Sequence, residues 1–530
     1  MRRLLYVLIA LLVLVLAVFG LGYGALHSSA VHKKIEEALT SALGQPVELG
    51  GFGVALFPTP ALDVHAVRIG GADSNSAPGL SLASLHVSPE VKSFLPGRTL
   101  TIDHVELRGL TIALRKDKTG KWLLPVAPAP APAGAGGAGG AGGAPPVNLR
   151  LLQVRDGRIR IVDDSLTGPK GEPTVSTISN IAADLEAAGG DIKAPRFTGR
   201  LGSTTVTGAA EAGPKGAALQ LASESIESAD LPSLFALAGM RPYPGLAISG
   251  KAPFELSTTI APDFKTFVAT GKAAIEHVKL GTLALDDMSS EFRFEKGVFT
   301  LNPFTFTFFG GKQQGSVAID LSQPAPVYTI RSGVSGLDVN RALSATTTMK
   351  DFLLGSASVT TDVKGSGSSA PAIQKSLTGT VKFQLTNGVI KNFPLLARVN
   401  QALGITEGND NDTKFESLSG TAAVGGGKAK TNDLLLKAGE LSMNGAGVLG
   451  FDQSLDFKLH AVMSAAKSQQ LLGKLGPLGR LRNAQGEIVV PVTVTGTTRA
   501  PKYGVDVGSV AKKQAKEEIQ KGLIKLFQKN

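Results

Sequence analysis

Short stretches of alternating hydrophobic and polar residues fill most of the chain, a pattern typical of β-strands. In EFRFEKGVFTL, which begins at residue 291, Phe292 and Phe294 fall on one face, and charged residues fall on the other. Lys296 and Gly297 then interrupt the alternation and predict a tight turn between two strands.

A second stretch, FTFTFFGGKQQGSVAID, repeats the pattern from residue 304 onward. Phe304, Phe306 and Phe308 share one face, and Gly310-Gly311 predicts the turn of a hairpin. Similar alternation recurs in VELRGLTIAL, RIRIVDD, TVKFQL and EIVVPVTVTG. The sequence therefore predicts a mainly β protein built from a long, mostly antiparallel sheet, with a few short helices beside it.

The hydrophobic N-terminal segment predicts the cellular compartment in which the rest of the chain lies. Residues 4–26 carry no charge, and as a helix they would measure about 35 Å, enough to cross a bilayer core of about 30 Å. Arg2 and Arg3 precede this run and predict a cytoplasmic N-terminus. A cleaved signal peptide ending near Ser28-Ser29-Ala30 is the alternative, although the apolar run is longer than usual for one. In both cases the body would be exported; an uncleaved anchor would place it in the periplasm, attached to the inner membrane.

Composition marks further segments. A helix is predicted just after the anchor, in the segment SSAVHKKIEEALTSAL. A linker is predicted in the segment PVAPAPAPAGAGGAGGAGGAPP, which has no large side chains to pack in a core. The predicted order is an anchor at 1–26, a juxtamembrane helix at 27–45, a first β unit at 46–124, a linker at 125–146, repeated β modules at 147–374, a C-terminal β region at 375–507 and a basic amphipathic helix at 508–530.

That last helix places charge beside an apolar face. Two interpretations remain open: the tail rests on an anionic membrane or docks a partner, or it caps the edge of the last strand. The residues that would face the membrane or partner are Lys512, Lys513, Lys516, Ile519, Leu523, Leu526 and Phe527.

Composition excludes some chemistry. Apolar residues make up 43% of the chain, which is enough for a large core, and the formal net charge of +11 permits contact with anionic lipid or nucleic acid without choosing between them. The chain has no cysteine, which excludes disulfides, thiolate catalysis and zinc–thiolate sites.

Candidate catalytic and binding motifs are weak. Residues 445–450 match GxGxxG, but a strand comes after them instead of the helix that a dinucleotide site needs. Ser464-Ala465-Ala466-Lys467 matches one motif of penicillin-binding enzymes, whose other motifs occur here in reverse order. His65, His86 and His104 could meet across neighbouring strands, but no carboxylate cluster accompanies them. We therefore expect a protein that is not an enzyme and that has no metal site or cofactor.

Several stretches together resemble the AsmA family. Near the N-terminus these are GQPVELGGFGVALFPTPALDVHAVRIGG and IDHVELRGLTIALRKDKTGKWLL; near the C-terminus they are LTGTVKFQLTNGVIKNFPLLARVNQALG and GEIVVPVTVTGTTRAPKYGVDVG. The resemblance implies a long curved sheet that forms a groove, apolar inside and polar outside. It also implies a role in moving phospholipid between membranes and in maintaining or assembling the outer membrane.

The resemblance directs attention to one set of side chains. The candidates for lining a lipid groove are Phe292, Phe294, Phe304, Phe306, Phe308, Leu434 and Leu436. The residues alone favour the core of a closed β-sandwich, and it is the resemblance that favours a groove. A periplasmic scaffold that assists outer-membrane protein assembly without carrying lipid is the alternative function.

The expected partners are phospholipids, the inner membrane and an outer-membrane or envelope protein, without nucleic acid. About 25 strands stacked at roughly 4.8 Å would reach at most about 120 Å. A partner or an oligomer is therefore expected to complete a path between two membranes.

Overall fold

The protein is mainly β, with a few short helices. It divides into two compact units, residues 1–275 and residues 276–530. The computed structural model describes residues 29–43, 45–55, 61–70, 79–90, 100–123, 147–167, 171–188, 191–237, 245–262, 266–346, 350–392, 394, 397, 401, 411–471, 482–498 and 500–505.

The first unit begins with a helix and continues as strands. Its elements are α1 (Ser29–Leu43), β1 (Val47–Glu48), β2 (Gly51–Ala55), β3 (Ala61–Gly70), β4 (Gly79–Pro89), β5 (Leu100–Arg108), β6 (Thr111–Lys116), β7 (Trp122–Leu123), β8 (Val147–Thr167), β9 (Pro173–Ala188), β10 (Asp191–Leu201), β11 (Thr204–Gly213), β12 (Gly216–Ser223), α2 (Leu231–Leu237), β13 (Leu246–Ser249) and β14 (Phe254–Ile260). The next strand, β15 (Phe267–Leu280), contains the boundary between the two units.

Most strand pairs in the first unit are antiparallel, and the parallel pairs involve one side of β8. This strand runs parallel to β5, from Leu100 opposite Val147, and parallel to β6, from Thr111 opposite Arg158. Strands on either side of the linker at residues 125–146 therefore join one sheet. This pairing connects the first β unit to the strands beyond the linker.

Helix α1 covers the first strands. Ile35 and Leu39 on α1 are buried in one cluster with Leu62 and Val64 of β3 and residues of β4 and β5. Two hydrogen bonds hold the helix in place: the Val47 N–H donates to Thr40 Oγ1 at 3.0 Å, and the Leu49 N–H donates to Glu36 Oε1 at 2.8 Å. This part of the sheet has an ordinary core, because the protein's own helix packs on its apolar side.

The second unit is a run of antiparallel strands in which each strand from β16 to β27 pairs with the next. Its elements are β16 (Leu283–Glu295), β17 (Val298–Phe308), β18 (Gly311–Asp320), β19 (Val327–Asp338), α3 (Val339–Thr346), β20 (Leu353–Ser366), α4 (Ala370–Ser376), β21 (Thr378–Ile390), β22 (Thr413–Gly425), β23 (Lys428–Ala438), β24 (Leu441–Gly450), β25 (Ser454–Met463), α5 (Ala465–Leu471), β26 (Ile488–Thr497) and β27 (Ala500–Val505).

The hairpin turns agree with the predictions with one shift. Lys296-Gly297 forms the predicted turn, with positive φ at both residues. The next turn is Phe309-Gly310, with φ of 47° and 78°, so the expected Gly310-Gly311 turn is displaced by one residue. Gly311 belongs to β18, where a Cβ would come within 2.9 Å of the Leu337 Cα. A close approach between strands, rather than a turn, therefore favours glycine at this position.

No helix within the described ranges is long and apolar enough to cross a bilayer. The predicted anchor at 1–26, the linker at 125–146 and the tail helix at 508–530 lie outside those ranges.

Candidate functional site

One face of the second unit is mostly apolar. Residues directly opposite each other in an antiparallel pair project to the same side, so the pairing registers trace each face from strand to strand. One such row runs from Phe306 through Gln313, Val334 and Val359 to Phe383. A neighbouring row continues from Leu385 through Leu418, Leu436, Met443 and Ala461 to Val490. We call this side the apolar face.

A β-bulge keeps the aromatic residues of β17 on one side. Leu301 lies opposite Val317, and Phe304 lies opposite Gly315, so residues three apart on β17 face partners two apart on β18. Without the extra residue, strict alternation would turn Phe304 to the face opposite Leu301. With it, both residues project to the same face.

The other face of this unit is polar. On β20 it carries Thr360, Asp362 and Lys364, which alternate with buried or partly buried positions. The Arg331 Nε lies 3.4 Å from the Asp362 Oδ2 on the same side. The second unit therefore has the two-sided character, apolar and polar, that the alternation predicts.

Six phenylalanines of β16 and β17 lie on the apolar face and are here called the aromatic patch: Phe292, Phe294, Phe299, Phe304, Phe306 and Phe308. All six are partly buried, and none belongs to the clusters of fully buried side chains. Ring centroids are 5.2 Å apart for Phe304 and Phe306, and 5.3 Å apart for Phe306 and Phe308. A residual exposed area on adjacent aromatic rings provides an apolar surface that a hydrocarbon could cover.

The sequence had not singled out Phe299, although it stacks on Phe292 with centroids 6.2 Å apart. The position of Phe299 could have been predicted from the sequence, because the Lys296-Gly297 turn places it opposite Phe294 in a hairpin. The five phenylalanines that were proposed from the sequence all lie in the patch.

Leu434 and Leu436 lie on the same face in a different environment. Leu436 is 5% exposed and packs in a buried cluster with Met443 and Ala461. Leu434 is only partly buried against that cluster. The structure thus brings all seven candidates onto one face, and it separates a packed region around Leu436 from the partly exposed aromatic patch.

Asp433 holds the irregular segment that orients these leucines. Its carboxylate accepts hydrogen bonds from the Thr421 N–H at 2.7 Å and from the Thr431 hydroxyl at 3.0 Å. The hydrogen bond from the Thr421 backbone is the main reason that the pKa of Asp433 is lowered. Register shifts here allow Thr431 and Leu434, three residues apart, to face the same side.

The motifs that resemble enzyme or metal sites lie in a strand, at the start of a helix and among hydrogen-bonded histidines. Residues 445–450 lie within β24, and a turn and another strand come next. The Ser464 hydroxyl bonds to Glu440 and accepts the Lys467 N–H at the start of α5, as a helix cap does. His86 bonds to Asp63 at 2.8 Å and His104 bonds to Gln153 at 2.8 Å. In the part of the chain that the structure describes, no group of side chains is arranged to hold a metal ion.

Comparison with protein families gives a match to the AsmA family over residues 267–434. This stretch includes the aromatic patch and ends at Leu434. It confirms the resemblance that the sequence had indicated. Comparisons with curated proteins and with solved structures found no match.

Proposed function

We propose that this chain is a membrane-anchored envelope protein that binds acyl chains on the apolar face of its second unit and takes part in moving phospholipid between membranes. The AsmA-family match and the large two-sided sheet both fit a role in lipid transport or envelope biogenesis. The observation that carries the proposal is the aromatic patch, because six phenylalanines on two paired strands remain partly exposed on a mostly apolar face.

Transfer free energies support hydrocarbon as the occupant. Each methylene group removed from water contributes about 0.8 kcal/mol, so about ten methylenes would contribute roughly 8 kcal/mol before the costs of ordering the chain. This interaction requires no directed bond and no catalytic group. It suits a surface that binds acyl chains of different lengths.

Anchoring and location are part of the same proposal. The uncharged run at residues 4–26 would hold the chain in the inner membrane, with the body in the periplasm. The basic tail would then contact an anionic membrane or a protein partner.

Co-purification tests the proposal. The full chain is extracted from membranes in mild detergent, and its phospholipid content is measured by mass spectrometry. We expect about one or more lipids per chain in the wild type and a severalfold loss in the triple variant F304S/F306S/F308S. The matched control is T305A/T307A on the opposite face of the same strand, which should keep its lipid.

The alternative function predicts a different result. A lipid-free wild-type protein that co-purifies with a stable protein partner would overturn lipid binding and favour the scaffold that assists outer-membrane protein assembly.

A further inference from the structure

Gln313 is a polar residue on the apolar face. On β18 it lies directly opposite Phe306 on one side and Val334 on the other. Its side chain is buried, with 6% of the residue exposed. The neighbouring positions that project to the same side of β18 are Gly311 and Gly315. Gln313 thus lies between apolar residues of the two neighbouring strands, and one of these residues, Phe306, belongs to the aromatic patch.

Only part of this amide is satisfied. The Gln313 Nε2 donates a hydrogen bond to the Ser332 Oγ at 3.1 Å. The Gln313 Oε1 is buried and accepts no hydrogen bond from the residues that the structure describes. In this orientation the unpaired atom is an acceptor. A turned-over amide would present an N–H instead, which could donate to an alcohol and to an ether oxygen alike, so a preference for alcohols requires the orientation in which Nε2 bonds to Ser332.

An unpaired buried carbonyl oxygen is unfavourable, and most such atoms in proteins have a partner. The Ser290 hydroxyl on β16 is not a second unpaired group of this kind, because it lies 2.9 Å from the Pro303 carbonyl oxygen, to which it can donate its proton. Gln313 therefore has unused hydrogen-bonding capacity within an apolar surface.

We propose that Gln313 is the polar contact of a ligand subsite on the apolar face, and that the subsite selects amphiphiles carrying a hydroxyl group beside a hydrocarbon chain. This inference rests on the proposed function, since the hydrocarbon chain would lie on the aromatic patch. The ligand hydroxyl donates its proton to the Gln313 Oε1 once the partly buried Phe306 ring moves aside. An ether or ester oxygen at the same place has no proton to donate and leaves the carbonyl unpaired.

The consequence is selectivity among lipids. A site that hydrogen-bonds a ligand hydroxyl rejects an analogue without it, because the buried acceptor is then left unpaired. A preference of about tenfold corresponds to one such hydrogen bond.

The test compares two ligands on the full chain in detergent. Hexadecanol and hexadecyl methyl ether compete with a fluorescent alkyl probe, and the ratio of their affinities is measured in the wild type and in two variants. We expect about a tenfold preference for the alcohol in the wild type, a ratio reduced to about one-tenth of that value in Gln313→Met, and the full preference in Gln314→Met. Gln314 is the matched control, because it is the next residue on β18 and is exposed on the polar face.

Comparing the ratio between variants cancels the size difference between the two ligands. Gln313→Leu serves as a second variant if Gln313→Met does not fold. Equal preferences in the wild type and in a folded Gln313 variant would overturn the subsite and leave lipid binding intact. Failure of the wild type to bind the probe or either ligand would overturn the proposed function as well.

Discussion

Phe306 and Leu436 project from the same face of the second unit, yet Leu436 is 5% exposed, whereas Phe306 is only partly buried. The registers from β17 to β23 connect the two residues through Phe383 and Leu385, which lie two apart on β21. One face thus combines a region that the protein packs with its own side chains and a region that retains accessible apolar surface. This difference gives the first prediction.

A charge should be tolerated at one of these positions and not at the other. Leu436→Asp buries an unpaired carboxylate and should destabilise the protein by about 3 kcal/mol or more. Phe306→Asp should cost about 1 kcal/mol, since its carboxylate can reach water, and should reduce bound lipid. Thermal unfolding and lipid content are measured on both variants. Equal destabilisation would indicate that the aromatic patch is a packed core.

Asp433 should stabilise the irregular segment of β23 in a manner that depends on pH. Asp433→Ala removes the acceptor of the Thr421 N–H and should cost about 1 kcal/mol at neutral pH, a value kept low by the exposure of the carboxylate. The pKa of Asp433 is lowered in the folded protein, so its contribution is present above the ordinary carboxyl pKa and is lost as the pH falls through the folded value.

Denaturant unfolding of the wild type and Asp433→Ala at neutral and acidic pH checks this prediction. The difference in stability should shrink at acidic pH. A difference that does not change with pH would contradict a role for the ionised carboxylate.

His277 should titrate above its ordinary pKa of 6.5. Its Nδ1 lies 2.8 Å from the Asp286 Oδ1, and this hydrogen bond is the main cause of the raised pKa. Because the folded pKa is raised, the stabilisation is complete below the ordinary value and is lost as the pH rises through the folded value. NMR titration of the imidazole checks the direction, and Asp286→Asn should return the midpoint towards 6.5. An unchanged midpoint in that variant would assign the shift to other charges.

Asp230 should be important for the first unit. Its carboxylate is buried and accepts the Ser203 N–H at 3.0 Å, the Thr204 N–H at 2.8 Å and the Thr204 hydroxyl at 2.8 Å. Asp230→Ala leaves these donors without their acceptor and should cost about 1–3 kcal/mol in unfolding experiments. Glu224→Ala, at an exposed position, is a control that should stay within about 0.5 kcal/mol of the wild type.

The fold class and the positions of the phenylalanines can be predicted from local alternation, which the sequence displays directly. The continuity of the apolar face cannot be predicted from local alternation. The bulge between Leu301 and Phe304 and the register shift between Thr431 and Leu434 change the spacing of the residues that share this face. These irregularities depend on pairing with distant strands, which local spacing does not encode.

The depth to which each residue is buried could not be predicted from the sequence either. Leu434 and Leu436 have the same local pattern, yet only Leu436 lies within the packed cluster, because burial depends on strands that are close in space and distant in sequence. In the sequence, Gln313 is a polar residue at a position where the alternation favours an apolar one. The strand registers then show that it lies on the apolar face.

The proposed function depends most on whether hydrocarbon lies against the aromatic patch in the cell. The direct measurement is photo-crosslinking with benzoylphenylalanine in place of Phe306 and, as the control, in place of Gln314 on the opposite face, followed by mass spectrometry of the adducts. Lipid binding on the apolar face predicts phospholipid adducts at position 306 that exceed those at position 314 severalfold. Equal lipid labelling at both positions, or adducts at position 306 that contain only protein, would contradict it.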